Sequence, residues 1–186
     1  MEDGVTKHPA PGELEIVRQF LNTHDVEEGV DEIASPDALR VWLSAQGLES
    51  GPDIRGDDVQ RAAAMRESLR ALTFANNGEP LAPEAIPTLN SIAAGARLLV
   101  RFDDQGHTVL EPAGQGVEAA LGELLAIVVR AMTEGTWKRL KACREDTCQW
   151  AFYDLSKNRS ATWCSMEVCG NRAKARAYRA RQHKHS

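Results

Sequence analysis

Apolar residues recur at helical spacing through the first half of the chain. Leu14, Val17, Phe20 and Leu21 form one stripe, which predicts a helix over residues 13–22. Ser35-Pro36 is a helix start, because Ser accepts a bond from an unpaired N–H and Pro tolerates the first helical position. That helix should run to about Gln46, with Gly47 as its stop. Asp57 or Asp58 should cap a longer helix that reaches about Ala75 and ends at Asn76-Asn77-Gly78. Residues 84–94 read as another helix, with Pro87 near its start and Gly95 closing it. The period then changes. Residues 97–102 and 107–111 flank Asp103-Asp104-Gln105-Gly106, a β-hairpin signal. Residues 116–134, with Val117, Leu121, Leu124, Leu125 and Val128, are expected to form the central core helix, ending at Gly135. A helical pattern restarts at Thr136. Strand character follows at 150–153 and 161–163, separated by turn formers at 154–160.

Charge changes the picture near Gly135. The net charge of −5 argues against phosphate binding when taken whole. Residues 137–186, however, carry twelve Lys or Arg against four acids, a net +8, and residues 1–136 carry −13. Two parts with opposite electrostatics are expected: a flexible lead-in over 1–11 and a domain over 12–136, then a second domain over 137–186. A hydrophobic content of 42% is ordinary for a globular protein. The longest apolar run, Leu124–Val129, is too short to span a membrane, so no membrane partner is expected. The early acids do not suit a secretory leader, and a cytoplasmic location follows as the expectation. The fold class expected is α+β: a mainly helical N-terminal domain with one small antiparallel hairpin, then a small C-terminal unit.

All four cysteines lie in that last unit. Cys143, Cys148, Cys164 and Cys169 are spaced C-x4-C, fifteen residues, C-x4-C. One tight turn can place two thiolates on a metal, and two such turns complete a tetrahedral zinc shell. Two disulfides, an iron–sulfur cluster and a redox dithiol remain alternatives for the same four residues. Catalytic zinc normally keeps one open position, so four Cys favour one structural Zn²⁺. About fifty residues bury too little apolar surface to fold alone. Chelation is therefore expected to unfold 137–186 and spare the N-terminal helices.

After Cys169 the chain reads GNRAKARAYRARQHKHS. On a helix Arg172, Arg176 and Arg179 share one face, and Lys174 and Arg181 lie nearly opposite. Such a surface can follow phosphates, and Arg can also read a guanine edge. A solvated face, or docking onto the acidic domain, would use the same residues.

The residues CREDTCQWAFYDLSKNRSATWCSMEVCGNRAKARAYRARQ closely resemble the CGNR zinc finger. The paired cysteines, Phe152-x-Asp154-x-Ser156-x-Asn158, Trp163-Cys164-Ser165 and Cys169-Gly170-Asn171-Arg172 carry the likeness. Upstream, FLNTHD at 20–25, Pro36-x-x-Leu39-x-x-Trp42-Leu43 and the alanine-rich helix around 66–72 resemble the ABATE domain. The resemblance implies a bacterial transcription regulator induced by stress, with a treble-clef-like finger of hairpin plus basic helix as its DNA-binding part. One departure is Thr162, where Arg is expected before Trp163 in much of the family.

Candidate DNA contacts are Arg159, Arg172, Lys174, Arg176, Arg179 and Arg181. Asn22 and Thr23 either cap the first helix or, with Trp42, line a pocket for a small-molecule effector. Asp154 should fix the finger's turn or pair with Arg172. A homodimer is left open. The leading expectation is a regulator that binds DNA. The alternative is a finger that docks on protein or RNA without duplex preference. No serine elbow, phosphate loop or histidine metal cluster supports an enzyme.

Overall fold

The computed structural model describes residues 9–183. Helix α1 (Leu14–Leu21) turns its stripe inward, burying Leu14, Val17, Phe20 and Leu21. A short antiparallel pair follows, β1 (His24–Asp25) with β2 (Val30–Asp31). The Asp25 carboxylate shapes its turn by accepting from the N–H groups of Glu27 and Glu28. Helix α2 (Pro36–Ala45) starts as expected, with Ser35 Oγ accepting from the Ala38 N–H at 3.2 Å. Gly47, at φ +73°, turns the chain out of that helix.

Helix α3 (Gly56–Asn76) is the longest element among the described residues. Asp58 does not stand at its cap. It reaches back from the first turn to accept the Arg55 N–H at 2.9 Å. Helix α4 (Ala85–Ala96) runs through Gly95 and ends at Arg97, which takes the left-handed conformation at φ +50°. A Cβ at Gly95 would make only ordinary contact, 3.4 Å from the Glu118 carboxylate. Strands β3 (Leu98–Phe102) and β4 (Thr108–Pro112) form the expected hairpin, with Leu98 opposite Pro112 and Phe102 opposite Thr108. Helix α5 (Gly116–Thr133) is the central element and buries ten residues along its length. Gly122 lets α4 come close, since a Cβ there would lie 2.6 Å from that of Ala96.

The helix expected from Thr136 is a single 3-10 turn at Trp137–Arg139. Strand β5 (Leu140–Ala142) follows at once and pairs antiparallel with β6 (Ala151–Tyr153). All three residues of β5 are buried. Tertiary burial overrides the local helical pattern here. The stretch 161–163 does not form a strand. Lys141 takes the Ala161 carbonyl at 3.0 Å, and the Thr162 carbonyl accepts from the Asn77 amide at 2.8 Å beside one isolated backbone bond from the Arg144 N–H. After a turn of π-helix at Met166–Gly170, helix α6 (Asn171–His183) completes the described chain.

The fold is α+β and mainly helical, with small antiparallel strand pairs. One apolar core joins α1, α2, α3 and α5, and Trp137, Leu140, Ala151 and Tyr153 belong to it. The charge switch near Gly135 thus marks a change of chemistry along the chain, while the core runs across it. A second, smaller cluster gathers the cysteines with Phe152. No described helix is long and apolar enough to cross a membrane.

Candidate metal centre and nucleic-acid interface

The Sγ atoms of Cys143, Cys148, Cys164 and Cys169 all lie within 4.8 Å of one another. Cys164 is 3.6 Å from Cys148 and 3.7 Å from Cys169. A tetrahedron with Zn–S of about 2.3 Å has an S–S edge of about 3.8 Å. The four donors therefore fit one zinc ion, and together they close its coordination shell.

The electrostatics of the thiols agree. Cys143 is held down to about 3 by hydrogen bonds from the Cys148 and Cys164 thiols. Cys148 is pushed up because it donates to Cys143, and Cys164 because it donates to Cys143 and Cys148. Burial raises Cys169 to about 12, and the charge on Cys143 adds to the rise. Four crowded thiols cannot all ionise without a cation between them. When bound, zinc would supply that charge and crosslink the two cysteine turns.

Local structure brings the pairs together. The Cys143 N–H donates to the Trp150 carbonyl at 2.9 Å, extending the β5–β6 pairing to the first ligand. The Glu145 carbonyl accepts from the N–H groups of Cys148 and Gln149, which makes the first cysteine turn. Ser165 caps the second, its Oγ accepting from the Val168 N–H. Asp154 fixes the loop between them. Its carboxylate accepts from the Ser156 and Ala161 N–H groups and from Lys141 Nζ, the last at 2.7 Å. Burial pushes the Asp154 carboxyl up, but Lys141 and Ser156 outweigh it and hold it below its ordinary value. Of the two roles expected for Asp154, the turn is present and the pair with Arg172 is not. Lys141 is its partner.

Side chains of the N-terminal helices grip the finger's backbone. Asn22 donates to the Ala151 carbonyl at 2.9 Å and accepts its N–H at 2.7 Å. Arg70, nearly fully buried, donates to the Gln149 carbonyl at 2.8 Å. Asn76 donates to the carbonyls of Trp137 and Leu140, and Asn77 to those of Ala142 and Thr162. Thr23 donates to the Phe20 carbonyl and accepts from Arg66, which also forks onto Asp31. Trp42 packs on the Phe20 ring, centroids 5.4 Å apart. Asn22, Thr23 and Trp42 are thus each engaged by partners within the fold. Sequence reading missed Arg66, Arg70, Lys141 and Glu145; for the first three, a charged residue at an otherwise buried helix or strand position was the available signal, and Glu145 lies in the first cysteine turn.

The basic residues have different surroundings. Arg172 pairs with Glu27 at 2.8 Å, and Arg176 forks onto Glu145, whose carboxylate is almost completely buried. Lys174 and Arg179 are exposed on α6, as is Arg181. Arg159 is exposed in the 154–161 loop, in the left-handed conformation, and its carbonyl accepts from Lys141. Helix α6 has no buried residue from Asn171 to Gln182. Lys184 and His185 lie outside the described residues.

Comparison with known families agrees with this layout. Residues 139–182 match the CGNR zinc finger. Residues 15–135 match the ABATE family, described as “Putative stress-induced transcription regulator”. Neither description is that of an enzyme. No curated protein matches the chain. The first match covers the cysteine cluster and α6, and the second covers the helical core as far as α5. The chain belongs to the ABATE family, and its C-terminal part is a CGNR zinc finger.

Proposed function

We propose that the protein regulates transcription by binding duplex DNA through α6, with zinc holding the finger that presents it. The observation that carries this reading is the helix itself. It is basic, follows directly from the last cysteine, and has no buried face. A helix polar all round has no apolar stripe to bury against a core, which leaves its charged surface to solvent or to an anionic partner. The major groove admits an α-helix, and phosphates supply the countercharge. Lys174 in the first turn of the helix and Arg179 and Arg181 in its last part are exposed, and Arg159 adds an exposed charge in the 154–161 loop. Arg172 and Arg176 are tied to acids of this chain, so their part in binding is partly to hold the helix.

In this reading the N-terminal domain carries the finger and supplies the regulatory input. A hollow of about 540 Å³ between α3, α4 and α5, bordered by Arg61, Ser91, Gly95 and Glu118, is its candidate effector site. Homodimerisation would place two such helices on adjacent half-sites.

Selection from random duplex DNA with zinc-loaded full-length protein tests the reading. Enrichment of a short motif supports it. Recovery of unenriched sequence, with RNA or a protein co-purifying instead, favours the finger as an interaction module.

A further inference from the structure

Helix α6 has an orientation but little packing to set it. Its residues from Lys174 to Gln182 are exposed, and its cations at 172 and 176 repel each other across one turn. A thirteen-residue helix of this kind is marginal alone, although its Ala, Arg and Lys favour the conformation. Its start is set by continuity with the π-turn that carries Cys169, and a tie farther along must hold its direction from there.

Glu145 stands in the first cysteine turn, between Cys143 and Cys148. Its side chain is about 1% exposed, and its own carbonyl shapes that turn. A carboxylate is costly to bury without a partner. Both its oxygens accept from the Arg176 guanidinium, one of them at 2.8 Å. Arg176 itself stays about half exposed. The strain of burial thus lies on the acid, and the acid belongs to the metal site. A planar guanidinium fork fixes an angle as well as a distance, which a Lys ammonium does not.

We infer that Glu145 is a positioning residue for α6: zinc orders the cysteine turn, the turn presents Glu145, and the Glu145–Arg176 fork aims the helix. Arg172 with Glu27 adds a weaker tie, from the β1–β2 turn of the N-terminal domain. Zinc occupancy is thereby converted into the direction of the DNA-binding helix, and Arg176 acts mainly on the protein side of the interface. The inference rests on the proposed DNA-binding role only for its consequence. The fork itself can be tested without DNA.

Two variants of the zinc-loaded full chain do this, Arg176→Lys and Glu145→Gln. Amide hydrogen exchange is read over α6, with α3 as the internal reference and thiolate–metal absorption of the cobalt-substituted protein confirming an intact site. Exchange over 171–183 should rise roughly ten-fold in both variants, with α3 and the metal spectrum unchanged. Duplex affinity should fall in Glu145→Gln, although removing an acid near phosphate would by charge alone raise it. Should Glu145→Gln lose metal, Arg176→Lys decides, because it leaves the cysteine turn untouched. Unchanged α6 exchange in Arg176→Lys with metal bound overturns the inference. Tighter DNA binding by Glu145→Gln also overturns it. A wild-type chain that binds no duplex contradicts the proposed function instead, and the exchange result still stands.

Discussion

The helical part and the finger are held together by different means. Helices α1, α2, α3 and α5 close on a continuous apolar core, with Val17, Phe20, Leu21, Leu39, Leu43, Met65, Leu69, Leu121 and Leu124 fully buried. Outside β5 and β6, the described residues of the finger gather only the small cluster of the cysteines with Phe152. Four thiols, a buried Lys141–Asp154 pair and a buried Glu145 take the place of a continuous core. Small zinc domains replace missing apolar burial with metal coordination. Here the replacement is graded. Strands β5 and β6 belong to the large core, the cysteine turns rest on the metal, and α6 rests on ion pairs. Distance from the helical core thus tracks increasing dependence on charge.

The comparison breaks most visibly on chelation. A structural zinc is worth about 10–16 kcal/mol in small finger peptides. Removing it should abolish protection over residues 143–183 in hydrogen exchange, while α5 stays protected. Because Leu140, Ala151 and Tyr153 sit in the shared core, the melting temperature of the remaining helices should also drop. Unaltered melting of the helices would place the finger outside their cooperative unit. The same contacts bear on an isolated 137–186 fragment, which would expose Trp137, Leu140 and Tyr153 to water. Binding comparisons therefore belong on the full chain.

Next in size is Lys141→Met. It would strand the Asp154 carboxylate, which has no exposed side-chain surface, and should cost about 3–5 kcal/mol in urea unfolding of the zinc-loaded protein. Adding Asp154→Leu should recover part of the loss. No recovery would mean that the Asp154 bonds to Ser156 and Ala161 matter more than its charge balance. Asn22→Ala removes both bonds to Ala151 and should cost about 2 kcal/mol by the same measurement.

The smallest effect separates the helical part by pH. Hydrogen bonds from Arg66 hold the Asp31 carboxyl below its ordinary value, with burial opposing them. A carboxyl lowered in the folded state stabilises above its unfolded pKa of about 3.9, and that contribution fades as pH falls through the folded value. Asp31→Asn should be less stable than the wild type near pH 6, with the gap narrowing towards pH 3. A gap that does not depend on pH would assign the role of Asp31 to packing.

Much of this organisation is legible along the chain because its signals are local. Ser35-Pro36 and Gly47 bound α2, Asp103–Gly106 turns the hairpin, and the cysteine spacing brings four ligands to one point. What local pattern could not show is which polar residue meets which. Asn76 and Asn77 end α3 as expected, yet their amides also hold carbonyls more than sixty residues away. Arg66 and Arg70 sit inside an ordinary-looking alanine-rich helix, and only the tertiary fold buries them against Asp31 and Gln149. The stretch from Thr136 reads as helix because its neighbours do. The core takes Leu140 and Ala142 as a strand instead.

Among the basic residues, spacing placed Arg172, Arg176 and Arg179 on one face. It did not separate those paired with Glu27 and Glu145 from the exposed Arg179.

The most direct measurement is duplex binding by zinc-loaded full-length protein across a range of salt concentrations, beside the Lys174→Glu/Arg179→Glu double variant. If α6 meets the phosphates, log affinity should fall with log salt by roughly 0.9 per phosphate contacted, and the double variant should bind more weakly with a shallower slope. Binding that ignores salt and survives both charge reversals would contradict a DNA-binding role for this helix.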